Sequence, residues 1–279
     1  MGKSNAFLIL FLAIGLCFFS CSKNNGTSTG NPLVSLNMTG SSQTAIASSN
    51  KIRKTIWNWF IETASAFSPP ASVLDSTNLN VSLNEFWISI SEIELKYDQT
   101  AQSGEVDGDS VEFAGPYSVN LFSNSPIVIA TGYLPQNLIR RIKYKTKNIS
   151  ALSSGEPSGM INFNLYLSGS VNGNNFVFKS GEQLVIETAG PNLVTLNSGD
   201  HLLLQIQTAD LIRKINLSTV TNNSIISEGN RLPIANPCPL IDSSAVDVYT
   251  CFIKGLAKQT KVGKDNGDNS FGAGDETIN

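Results

Sequence analysis

One histidine, four cysteines and two short runs of alternating charge are the residues of this chain that could do chemistry. A Ser-His-Asp triad needs a general base, and His201 would have to supply it. It comes after the turn-like Ser198-Gly199-Asp200 and opens the strand-like Leu202-Leu203-Leu204, with no G-x-S-x-G elbow in the chain. The expectation is a plain strand histidine. Arg141, Lys143, Lys145 and Lys147 share one face of a strand, because strand side chains alternate with period two, and Ile142 and Tyr144 take the other face. Such a stripe could hold an anionic glycan or a lipid headgroup. Glu92, Glu94 and Asp98 make an acidic stripe in the same way, opposite Ile93, Leu95 and Tyr97. The plainer expectation is two solvated sheet faces, paired across strands. Asp107-Gly108-Asp109 and the acids between 265 and 276 raise calcium, but the calcium loop needs glycine at its sixth position, and the sixth residue from Asp265 is Ser270. These acids read as turns and a soluble tail.

The N-terminus carries a different chemistry. Lys3 precedes an uncharged, mostly apolar run, Ala6 to Phe19, that ends at the small residue Ser20 and then Cys21. This is the pattern of a secretory signal, too short for a bilayer core, which needs about 20 apolar residues. Cys17 comes after the bulky Leu16, whereas Cys21 comes after Ser20, and Phe18-Phe19-Ser20-Cys21 resembles a bacterial lipobox with Phe where Leu is usual. The expectation is cleavage after Ser20 and lipidation of Cys21, with palmitate among its acyl chains. Each buried methylene contributes about 0.8 kcal/mol and stable anchoring takes two chains, so the lipid would be the anchor. Cys17 then leaves with the signal and Cys21 is acylated. Cys238 and Cys251 remain, an even number in an oxidising compartment, which reads as one disulfide, with two free thiols as the alternative. A zinc site lacks ligands: two thiols and one histidine.

The formal net charge is −3, which becomes −4 once Lys3 is removed. A nucleic-acid binder usually shows a basic excess, so none is expected as a partner. No metal, cofactor or catalytic constellation emerges. Residues 1–20 are read as the lipoprotein signal peptide and 21–50, rich in Ser, Thr, Asn and Gly, as a lipidated flexible tether. Residues 51–70 hold a candidate amphipathic helix, with Ile52, Ile56, Trp59, Phe60, Ala64 and Phe67 on one face and Pro69-Pro70 as the stop. It would either dock on the domain or touch lipid. Residues 80–218 form the β region. Phe86, Ile88 and Ile90 alternate, then Ile93, Leu95 and Tyr97 in the opposite phase, so a bulge is expected at Ser91-Glu92. Tyr117, Val119 and Leu121 alternate, as do Ile161, Phe163, Leu165 and Leu167, and Asn172-Gly173 is a hairpin signal. Strands at 184–188, 193–196 and 202–206 complete a β-sandwich with flanking helices. Residues 219–263 are read as a disulfide-containing segment with a helix begun by Asp242, and 264–279 as a mobile tail.

Four segments carry a family resemblance. They are Phe86-Trp87-Ile88-Ser89-Ile90-Ser91-Glu92-Ile93-Glu94-Leu95, Gly115-Pro116-Tyr117-Ser118-Val119-Asn120-Leu121, Tyr133-Leu134-Pro135 with Ile139-Arg140-Arg141-Ile142, and Ser198-Gly199-Asp200-His201-Leu202-Leu203-Leu204. In this order they resemble a family of bacterial lipoproteins bearing an uncharacterised β-sandwich domain of immunoglobulin-like or transthyretin-like type. Asn120 stands where the family has Asp, and the Gly and Tyr of the third element are missing. The resemblance implies a sandwich and an envelope location, outer membrane or cell surface before inner membrane, and no activity. The expected function is a lipid-anchored, non-enzymatic protein that binds or supports, with a surface glycan or protein as ligand. The alternatives are a glycan- or solute-binding accessory lipoprotein, for which Trp87 and Tyr166 are the aromatic candidates, and more remotely a hydrolase.

Overall fold

The longest strand shows how the sequence builds the sheets. In the computed structural model, which describes residues 32–41, 72–97, 110–123, 126–134, 138–153, 155–267, 271 and 275–279, one strand runs unbroken over Asn80–Tyr97 (β3). Val81 and Leu83, then Phe86, Ile88 and Ile90, then Ile93, Leu95 and Tyr97 are all buried. The pairing register shifts between Leu83 and Glu85 and again between Ile90 and Glu92. Each extra residue flips the alternation, and so keeps apolar side chains on one face across 18 residues. The second shift is the one expected at Ser91-Glu92; the first, at Asn84, is additional.

Strand β4 (Ser110–Asn120) takes one edge of β3 from Trp87 to Lys96, after the short β2 (Val73–Leu74). The other edge is shared in succession by β7 (Leu165–Val171) and β6 (Leu138–Thr146). With β8 (Asn174–Ser180), β9 (Val185–Thr195) and β11 (Ser224–Ile226) the order of the main path is β11-β8-β7-β3-β6-β9. The β7–β8 hairpin turns at Asn172-Gly173, both with positive φ (46° and 84°), the two-residue turn that this dipeptide favours. A second sheet runs β13 (Glu276–Thr277), β12 (Thr260–Asp265), β10 (His201–Gln207), β1 (Leu33–Ser41) and β5 (Ile127–Tyr133), with β1 and β10 parallel. The protein is therefore mainly β, two packed sheets with few helices. The edges of the two sheets meet. Phe113 of β4 lies against Gly132 of β5, and the Thr195 N–H of β9 donates to Glu276 at the start of β13 (3.2 Å).

Two short helices cover the far end of the larger sheet. They are α1 (Thr208–Arg213) and α2 (Val248–Lys258). Phe178 of β8 packs on Phe252 and Tyr249 of α2, with ring centroids 4.5 and 5.6 Å apart. Asp247 caps α2 by accepting from the Thr250 N–H at 2.6 Å.

Four expectations about organisation are corrected. Residues 33–41, assigned to the tether, form β1, flanked on both sides by β10 and β5, with Val34, Leu36 and Met38 buried. Val34, Leu36 and Met38 alternate with Ser35, Asn37 and Thr39, a strand pattern that is short and set in a stretch otherwise rich in Ser, Thr, Asn and Gly. The end of the tail is also packed: β12 runs into it, β13 pairs with β12, and Ile278 is buried. The C-terminal helix begins at Val248 and is capped by Asp247; Asp242 instead closes a turn onto Ser244, and the chain beyond Gln259 is strand. Finally, 219–263 is not set apart from 80–218. β11 pairs with β8, α2 packs on β8, and the described residues belong to one compact unit. At residue level, Ile161 lies in the loop before β7, after a 3-10 turn (Ser158–Met160), and the two strands expected at 184–196 are the single β9.

Candidate binding face

The basic and acidic stripes turn out to be one ladder. Glu92 and Glu94 stand opposite Lys145 and Lys143 in the β3–β6 register. Lys145 reaches Glu92 at 2.6 Å, Lys143 reaches Glu94 at 3.0 Å, and Arg141 reaches Glu187 on β9 at 3.0 Å. Burial pushes the Glu94 carboxyl up, but the ammonium groups of Lys143 and Lys96 and the Ser110 hydroxyl outweigh it and hold it below the usual carboxylate range. An anionic ligand would have to compete with carboxylates already bound to these cations, which argues against the stripe as an anion site. Lys147 lies exposed just past the end of β6. Asp98 and Asp107-Gly108-Asp109 lie outside the described residues, as do Ser20, Cys21 and the candidate helix at 51–67.

His201 opens β10 and is exposed; its Nδ1 shares a hydrogen bond with Ser35 Oγ. Ser35 and Asp265 are its register partners on β1 and β12, so a Ser, a His and an Asp stand side by side across three strands. Sequence reasoning missed Ser35 because it lies 166 positions away in a segment read as tether. Cys238 and Cys251 form a disulfide, Cα–Cα 5.9 Å, fully buried. It joins α2 to the Pro237–Pro239 stretch, which is not extended as its prolines suggest but leads into a turn, the Cys238 carbonyl accepting from the Ile241 and Asp242 N–H groups at 2.9 and 2.8 Å. Among the described residues no three His, Cys, Asp or Glu side chains are grouped to hold a metal ion.

A network without any sequence signature lies at the start of α2. The Tyr249 hydroxyl meets Ser180 Oγ at 2.8 Å and Glu182 Oε2 at 3.2 Å, with the Arg231 guanidinium 4.6 Å over its ring. Glu228 accepts from Ser180 Oγ and from the backbone N–H groups of Gly181 and Glu182. Burial pushes the Glu228 carboxyl up, and these donors more than offset it. Burial raises the Tyr249 hydroxyl well above its ordinary value. The signal needed was three-dimensional, since Ser180 and Tyr249 are 69 residues apart.

Trp87 and Tyr166, the two aromatics singled out for ligand contact, are direct cross-strand partners on the outer face of the larger sheet. They are half-buried, not displayed. Residues 155–163 cross over them: a Cβ added at Gly155 would come within 4.0 Å of the Trp87 ring, and Gly159 sits so close to the Tyr166 ring that a Cβ there would be 2.3 Å from it. Glycine at 159 is what lets the loop lie flat on the aromatic ring. Phe163 closes the flank, with Lys179 Nζ 4.5 Å over its ring.

A two-sheet β-sandwich with one helix-covered end is thus the class of protein defined by the fold. No family model, no curated protein and no solved structure matches the chain.

Proposed function

We propose that this protein is an exported envelope lipoprotein, held to the membrane through acylated Cys21, that works by binding and not by catalysis. The observation that carries the reading is the buried Cys238–Cys251 disulfide in a chain that opens with a lipobox-like signal. Such bonds persist in oxidising compartments outside the cytosol. Among the described residues no helix is long and apolar enough to cross a membrane. The four segments that resemble the lipoprotein family fall on β3, β4, the β5–β6 region and the start of β10, all strands of the sandwich. The sandwich supplies a rigid frame and the loops on its outer face supply the contact surface. In cells expressing the full chain, labelled palmitate should enter the protein and the protein should sediment with membranes. Cys21→Ala should abolish both; retention of label and of detergent partitioning in that variant would overturn the assignment.

Hydrolysis is a second reading with one observation in its favour, the Ser35–His201 hydrogen bond with Asp265 in register beyond it. A fluorophosphonate probe should leave the wild-type protein unlabelled. Labelling that disappears in Ser35→Ala would replace the binding reading with an enzymatic one.

A further inference from the structure

The outer face around Trp87 holds a concentration of polar atoms left without partners. Trp87 and Ser89 project from β3 on the side opposite Phe86, Ile88 and Ile90. Ser118 faces Ser89 and Asn120 faces Trp87 across β4, while Tyr166 faces Trp87 from β7. Asn164, just before β7, accepts from the Ser89 N–H through its backbone carbonyl at 2.8 Å. Four buried atoms in this patch have no hydrogen-bond partner: Trp87 Nε1, Ser89 Oγ, Ser118 Oγ and Asn164 Oδ1. Ser89 is 1 % exposed and Asn164 0 %. The Asn164 amide is oriented by its other end, since Nδ2 donates to Asn148 Oδ1 (2.9 Å) and to the Glu182 carbonyl (2.7 Å). Its Oδ1 is therefore the end left over.

Leaving one buried polar group unmet costs roughly 1–3 kcal/mol, and native proteins hold few of them. Four on neighbouring positions of one sheet face are better explained by a shared partner than by four separate failures of packing. The chemistry of that partner is set by the donors and acceptors on offer. Indole N–H only donates, the Asn164 carbonyl oxygen only accepts, and each serine hydroxyl does both. None of the four carries a charge. The matching group therefore carries several hydroxyls, each able to donate and accept, and no formal charge. The half-buried ring of Trp87 adds apolar surface suited to the C–H face of a sugar ring. An apolar wall with a few fixed polar groups is the usual make-up of a small-ligand site.

We infer that Trp87, Ser89, Ser118 and Asn164, beneath residues 155–163, form a binding site for a neutral sugar. The inference rests on the binding reading above and names its ligand class. The test uses the mature, lipidated protein in a phosphocholine detergent free of sugar headgroups. The chain has three tryptophans, so Trp57→Phe/Trp59→Phe leaves Trp87 as the only one emitting. D-glucose, D-galactose and N-acetyl-D-glucosamine are the probes. At least one should change the Trp87 emission saturably, and Ser89→Ala/Ser118→Ala should weaken that binding about tenfold or more, each lost hydrogen bond being worth about 1 kcal/mol. A thermal melt of each variant checks folding. No saturable change with any of the three sugars overturns the site, as does a saturable change that the serine substitutions leave intact. Wild-type protein that binds none of the three sugars, with serine variants that melt higher than it, would show the orphan hydroxyls to be a packing cost. Palmitate labelling and fractionation are read separately, so failure here leaves the anchoring assignment standing or falling by itself.

Discussion

Tyr144 and Phe178 are both buried aromatics of the larger sheet, and their surroundings differ in kind. Tyr144, on β6, reaches the second sheet, where its hydroxyl meets Thr260 Oγ1 of β12 at 3.3 Å. Phe178, on β8, meets the helix α2. In the first region sheet covers sheet, and the cover is assembled from β1, β10, β12, β13 and β5, segments drawn from both ends of the chain. In the second region the cover is 11 residues of helix that include Val248, Tyr249 and Thr250, all weak helix formers. Such a helix holds its shape through tertiary contacts, a cap and a covalent tie. The strand-built region should therefore unfold only with the whole, whereas the helix-covered region should be able to open by itself.

The most severe way to break that contrast is Phe178→Ala. It removes the ring on which α2 rests, and should cost about 3–5 kcal/mol by loss of transfer energy and creation of a cavity. Thermal melts should show a first transition that wild type lacks. If the variant instead melts in one lowered transition, the two regions form a single cooperative unit. Next in size is the disulfide. Cys238→Ser/Cys251→Ser frees a loop of sequence separation 13, worth about 3 kcal/mol by the chain-entropy estimate. Amide exchange should speed up in α2 and β8 while β1 and β10 stay protected. Equal acceleration in both regions would dissolve the distinction.

Smaller effects sharpen it. Asp247→Ala removes the cap of α2 and should cost about 1 kcal/mol, visible as exchange confined to the first turn of the helix. The smallest expected effect is the response to acid, because Glu94 belongs to the strand-built region and Glu228 to the helix-covered one. Both carboxyls titrate below their ordinary value in the folded protein. A depressed folded value means that the stabilisation is present above the unfolded value, about 4.3, and is lost as pH falls through the folded one. Stability should thus decline below about pH 4. Glu228→Gln should flatten that decline for exchange in β8 and α2, and Glu94→Gln for exchange in β3 and β6. An acid response unchanged by both substitutions would assign it to other carboxylates.

Where burial on one face decides the fold, the residues announce it. The alternation of Phe86, Ile88 and Ile90 and its reversal at Ile93, Leu95 and Tyr97 place both the strand and its bulge. Asn172-Gly173 places the hairpin, because its turn needs positive φ at both positions. The pairing of Cys238 with Cys251 comes from counting, since they are the two cysteines outside the segment read as signal and lipid site. The candidate site was half legible. Trp87 and Tyr166 stand out as aromatics on a strand pattern, but Ser89, Ser118 and Asn164 are ordinary residues until the strands come together.

What only the tertiary structure decided is whatever depends on a neighbour distant in the chain. Residues 33–41 carry a short strand alternation in Val34, Leu36 and Met38, but only the tertiary structure decides that β10 and β5 are the partners at its two edges. Backbone hydrogen bonds are indifferent to side-chain type, so this choice leaves little trace in the residues themselves. The same holds for the paired charges. Period two put Lys143 and Lys145 on one face and Glu92 and Glu94 on another, but the register between β3 and β6 alone made them partners. Local pattern determined which side chains are buried, because burial is set by period; the register determined which of them touch, because it is fixed only when all strands are in place.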